Sequence, residues 1–307
     1  FQLGRNRASI VIFVYLFQTV FESVQNRFIQ DLFFFGIMIL QRTAMHHNPH
    51  PIISDGFILM ISAKMEAIID TLGFEPRDGE STLDSARRAA ALHFLVLWSD
   101  KPEVDNGAAA AYARLGLSDS SIRRVTIVNE VRKNRFKADD VLNEILACPS
   151  PSKYVMEDMF TKRADLLFAL GCVRPIEMEL VCFNVGLHNS DLLHYFMGLL
   201  ECGPDDLETL GDVITFYYTH RSRFAAQMNS QSWHFKEIDR MMCYVISNDR
   251  LLEFVKKAYI KETTQKYKEL EDRCNRWMES FTRSRDLLEF TMTPPKFFPL
   301  IILQNGA

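Results

Sequence analysis

The chain has 307 residues, 48% hydrophobic and 24% charged, with 35 basic against 39 acidic side chains and a net charge of −4. That balance excludes wholesale disorder and a collagenous chain. It gives no global electrostatic reason to bind nucleic acid or an anionic membrane. Gly and Pro number 13 and 11, each roughly 4% against usual values of about 7% and 5%, so turns are scarce and helices are favoured.

In chain order, Arg5 and Arg7 precede a short apolar run over 8–17. A membrane span needs about 20 apolar residues. The apolar side chains that follow (Phe17, Val20, Phe21, Val24 and Phe28) keep helical spacing, so a buried helix is favoured over an anchor or targeting element. Residues 8–43 read as one long helix or two joined near Gln30, broken by HHNPHP at 46–51. A run to Leu72 follows, with Phe57, Met60, Ile61, Met65, Ile68 and Ile69 on one face. Ser81-Thr82-Leu83-Asp84 resembles a capping box and predicts a helix to about Leu97. The polar segment 99–107 reads as a boundary. Ser118 is then expected to cap a helix to about Asn134, and another spans 138–147 before Pro149 and Pro151. Further helices are expected at about 152–170, 175–185, 190–201, 205–220, 232–246 and 249–282.

This pattern predicts an all-α, multi-helix fold. The links of a few residues suit antiparallel neighbours or a degenerate helical-repeat array. The division reads as an N-terminal helical region over 1–98, a C-terminal helical array over 108–292 and an extended segment over 293–307. That last segment carries Phe297 to Leu303 and is either a tail or the start of a further domain.

The six cysteines (Cys148, Cys172, Cys182, Cys202, Cys243 and Cys274) are scattered without a CxxC pair. They read as free, small hydrophobes in an intracellular setting, cytoplasmic or nuclear. The pattern gives no tight ligand pair for zinc. No two glycines flank a single residue, so the dinucleotide and kinase glycine loops are absent. GxxxxGK, GxSxG and HExxH are absent as well.

Three clusters carry the functional expectations. The basic one is Arg123, Arg124, Arg132, Lys133 and Arg135. On one unbroken helix Arg124, Arg132 and Arg135 share an arc of roughly 80°, which suits a phosphate or an acidic partner. But Val128 falls inside that arc and Lys133 lies on the far side, so a solvated helix end is favoured over a ligand face. The acidic one is Asp139, Asp140 and Glu144, with Asp205 and Asp206 further on. Such carboxylates suit Mg²⁺, but also a helix start, where they satisfy free N–H groups. The third is a heptad stripe containing Tyr267, Leu270, Trp277 and Phe281, flanked by charge, which must bury itself against something.

The expectation is a non-catalytic helical interaction or scaffold module that needs no cofactor. It binds a protein partner, with nucleic acid as a further ligand of the basic helix and a membrane disfavoured. The alternatives are an all-α Mg²⁺-dependent enzyme acting on a phosphorylated substrate, or the helical accessory part of a larger nucleic-acid enzyme.

Overall fold

The computed structural model of the chain describes residues 62–63, 65–99, 101–148, 157–173, 178–184, 187–202, 207–245 and 253–255, with Lys268, Asp272 and Arg276. The expected N-terminal helix, Asp205, Asp206, the stripe residues Tyr267, Leu270, Trp277 and Phe281, and the segment 293–307 lie outside the described residues. Among the described residues every regular element is helical and none is a strand, so the fold is all-α. No described helix is long and apolar enough to cross a membrane.

Residues 65–72 are helical and bury Met65 and Ile69. Nine α-helices follow among the described residues: α1 Thr82–Trp98, α2 Pro102–Leu115, α3 Arg123–Arg132, α4 Ala138–Ala147, α5 Glu157–Gly171, α6 Asn189–Glu201, α7 Leu207–Thr219, α8 Arg221–Met228 and α9 Trp233–Val245. A five-residue π-turn, Leu180–Asn184, lies between α5 and α6.

The start of α1 is chemically clear. Ser81 Oγ accepts from the Asp84 N–H at 3.1 Å and donates to the Asp84 carboxylate at 2.8 Å. This satisfies one of the free donors of the first turn. Replacing Ser81 with alanine is expected to lower stability by about 1 kcal/mol, read as a shift of the urea midpoint at unchanged slope.

Two starts differ from the sequence reading. Residues 102–107, read as part of a polar boundary, form the first turns of α2. Pro102 sits at the helix start, where its missing N–H costs nothing, and Glu103 and Asp105 favour the positive end of the helix dipole. Val104, Ala108 and Ala111 are the buried stripe, so the core runs through this segment without a gap. The helix expected from Ser118 begins instead at Arg123, after a turn in which Asp119 accepts from the Ser121 N–H at 2.9 Å. The expected helix over 205–220 is α7, and a separate short helix, α8, follows a turn at His220.

The helices pack in single file, α1 on α3, α3 on α5, α5 on α6 and α6 on α9. The α2 helix covers α1 and α3, α4 covers α5, and α8 covers α9. The α5–α6 contact is the most extensive among the described residues and is the main joint between the α1–α5 and α6–α9 ends of the file. Its two helices run in the same direction. Arg163 of α5 meets Asp191 of α6, 28 positions on, and Cys172 meets Cys202, 30 positions on, so the offset holds along the pair. The return segment between them carries the π-turn.

Close approach at this joint requires glycine. A Cβ on Gly198 would lie 2.0 Å from the Phe168 carbonyl oxygen, and one on Gly171 would lie 2.4 Å from that of Tyr195. Both obstacles are backbone, which cannot swing aside as a side chain can.

Candidate functional site

The arginine-rich segment is the basic cluster that the sequence offers to a phosphate or an acidic partner. In the structure its helix is α3, and it is enclosed: Arg123, Val125, Thr126, Ile127, Val128, Asn129, Glu130 and Val131 are all buried. Four of the five candidate residues hold protein groups. Arg123 is 1% exposed, and its Nε donates to the Leu117 carbonyl at 2.7 Å. Arg124 donates to Asp165 of α5 at 2.9 Å and lies over the Phe168 ring at 5.0 Å. Arg132 Nη1 donates to the Val96 and Leu97 carbonyls at 2.6 and 2.9 Å, closing the C-terminal end of α1. Arg135 pairs with Glu130 at 2.8 Å and with Asp105 of α2 at 2.7 Å. Lys133 is exposed at the turn that ends α3. The sequence periodicity places Arg123, Arg124 and Arg132 on a helix, but that helix ends at Arg132, so Arg135 follows it in the turn and the expected shared arc is broken. The partners of these arginines come from α1, α2, α5 and the turn before α3.

The same chemistry recurs along the file. Asp165, fully buried, takes Arg124 and lies 3.9 Å from Arg123. Arg163 of α5 grips Asp191 of α6 through Nε and Nη2, at 2.9–3.2 Å. Its Nη1 donates to the Ile145 and Cys148 carbonyls at the end of α4, at 2.7 and 3.3 Å. Asp191 also accepts from the His188 N–H at 3.0 Å, capping α6. At the far end Arg221 of α8 makes two bonds to Asp239 of α9, at 2.8 and 3.0 Å, and the Tyr217 hydroxyl of α7 donates to the same carboxylate at 3.2 Å. Each pair ties two helices in one register. The net stability such pairs add is small or even negative against apolar packing, but removing one partner strands the other and is costly.

Asp165, Asp191 and Asp239 were not singled out in the sequence. Their signal there is faint: Asp165, in ADLLFALG, is one carboxylate inside an apolar helical run, a position that requires an internal cation.

One pair has a measurable pH consequence. Its bond to the Arg135 guanidinium is the chief reason the Asp105 carboxyl is held below the usual carboxylate range. Asn129 adds to this and desolvation opposes it. A depressed folded-state pKa gives stability that is present above the unfolded value of about 3.9 and is lost as the pH falls through the folded value. Melting temperature should therefore drop more steeply below about pH 4 in the wild type than in Asp105→Asn, measured by circular dichroism across an acid series.

The acidic candidates separate. Asp139 and Asp140 are exposed in the first turn of α4, while Glu144 accepts from Lys162 at 3.0 Å. No group of three or more His, Cys, Asp or Glu side chains among the described residues is placed to hold a metal ion.

The cysteine reading needs a correction. Cys172 and Cys202 are joined by a disulfide at the C-terminal ends of α5 and α6, with Cα atoms 4.8 Å apart. Cys148 and Cys182 are free and buried. Burial pushes both of their thiols up from the ordinary value. The pair was illegible because parallel packing of two helices, not spacing in the chain, brings these residues together.

Two large apolar side chains are left exposed among the described residues, Trp233 at 58% and Leu146 at 57%. Trp233 opens α9, and Lys236 and Arg240 are exposed further along the same helix. No protein-family model and no curated protein matches the chain.

Proposed function

We propose that the chain is a non-catalytic helical scaffold that binds a protein partner. Exposure of Trp233 carries this reading. Tryptophan is costly to leave in water and is the residue type most enriched at the energetic centres of protein interfaces. Here it stands at the start of α9, the last helix of the α1–α3–α5–α6–α9 file among the described residues. The single-file packing supports a degenerate helical array, a form that presents extended surfaces to partners. The internal use of Arg123, Arg124, Arg132 and Arg135 favours a protein over nucleic acid as the ligand. An intracellular setting is part of the reading: the buried free thiols of Cys148 and Cys182 suit it, while the Cys172–Cys202 disulfide is the feature that opposes it.

The test is affinity capture from source-cell lysate with nuclease present, comparing the wild type with Trp233→Ala. The reading expects a near-stoichiometric partner that survives nuclease and is lost with the variant, whose circular dichroism spectrum stays that of the wild type. Capture abolished by nuclease would make nucleic acid the ligand. Capture indifferent to Trp233→Ala would remove this surface from the reading.

A further inference from the structure

The α5–α6 joint is held in three places: by Arg163 and Asp191 near the start of α6, by the Gly171 and Gly198 backbone contact, and by Cys172–Cys202 at the C-terminal ends. The first two do not depend on sulfur. Cys172 and Cys202 are half-buried, whereas the free Cys148 and Cys182 are buried, at 6% and 0% exposed. An external thiol therefore reaches the bonded pair more easily than the unbonded ones. Cys172 Sγ also lies 3.4 Å from the Phe168 carbonyl oxygen, so a thiol released there has an acceptor already in place.

We propose that Cys172–Cys202 is a reversible redox latch on the main joint of the helical file, opened by a glutathione-class thiol and closed by the corresponding disulfide. In opening, an external thiolate attacks one sulfur of the pair, forming a mixed disulfide and releasing the other as a thiolate that takes up a proton. A second external thiolate resolves the mixed disulfide. Two external thiols thus become one external disulfide, and two electrons and two protons end on Cys172 and Cys202. The ion pair and the glycine contact keep α5 on α6 in both states, so opening loosens the C-terminal end of the joint without unfolding the chain. The latch closes a loop of 30 positions, which constrains the unfolded chain.

The test places the intact protein in glutathione buffers of stepped ratio and reads thiols by differential alkylation and mass spectrometry. Labelling at Cys172 and Cys202 should rise together while Cys148 and Cys182 stay unlabelled in the native protein. The far-UV spectrum should be unchanged, and melting temperature should fall by about 5–10 °C on reduction. A Cys172→Ser, Cys202→Ser variant should melt like the reduced wild type and ignore reductant. Three results would overturn the proposal: no linked Cys172–Cys202 peptide under oxidising conditions, a link that yields only after denaturant is added, or loss of helical signal when the wild type is reduced.

Discussion

Alanine at position 198 is expected to lower stability by about 3 kcal/mol or more, seen as a fall in melting temperature of about 5–10 °C. The sign is informative because local propensity points the other way. In an exposed helix interior, glycine to alanine gains about 1 kcal/mol. Position 198 is inside α6, but its added Cβ would meet the Phe168 carbonyl oxygen at 2.0 Å. The obstacle is the backbone of α5, so relief requires the two helices to move apart along their largest shared contact. Gly171→Ala meets the Tyr195 carbonyl from the other side and should behave similarly. Thermal melts of both variants check this, and an unchanged or raised melting temperature would mean that the helices do not touch there.

Asp191→Ala is expected to cost about 3–5 kcal/mol, the usual penalty for removing one member of a buried ion pair. The change leaves the Arg163 guanidinium, 9% exposed, without its carboxylate, and it removes the acceptor of the His188 N–H at the start of α6. Replacing both members, with Arg163→Met and Asp191→Leu, should cost less than the single change, because no charge is then stranded. It should still cost something, since Arg163 also satisfies the Ile145 and Cys148 carbonyls that end α4. Urea denaturation of the two singles and the double gives the coupling. Additive losses would mean that the pair does not act as a unit.

The elements read best in the sequence are those with local signals. The Ser81 cap, the acidic start of α4 and the apolar periodicity of α6 and α9 give bounds within a residue or two of those observed. The first turns of α2 were misread because Pro102, Asn106 and Gly107 are turn formers in isolation, and only the buried Val104 and Ala108 reveal the helix. The separate α8 was hidden for a related reason, since the turn at His220 has no Gly or Pro to announce it.

The candidate site was less legible than the fold. Periodicity puts Arg124, Arg132 and Arg135 on one helical arc but is silent on where the helix ends, which is at Arg132, and on what faces that arc. The carboxylates of Asp165 and Asp105 arrive from helices 41 and 30 positions away. A cluster of like charge in sequence is a surface only if nothing folds over it, and that is a tertiary fact. The Cys172–Cys202 bond is tertiary in the same sense: neither residue is adjacent to the other until α5 and α6 lie side by side.

The claim on which the account turns is that α3, the arginine-rich helix, is an interior element and not a ligand face. Native-state hydrogen exchange of the full chain, resolved to peptides, tests it most directly. The account predicts that α3, α5 and α6 are the slowest segments and that amides of α4, whose outer face is open, exchange sooner. Exchange of α3 as fast as α4, with α5 and α6 still protected, would mean that the buried Arg123 and its neighbours Val125 to Val131 are open to solvent, and would contradict it.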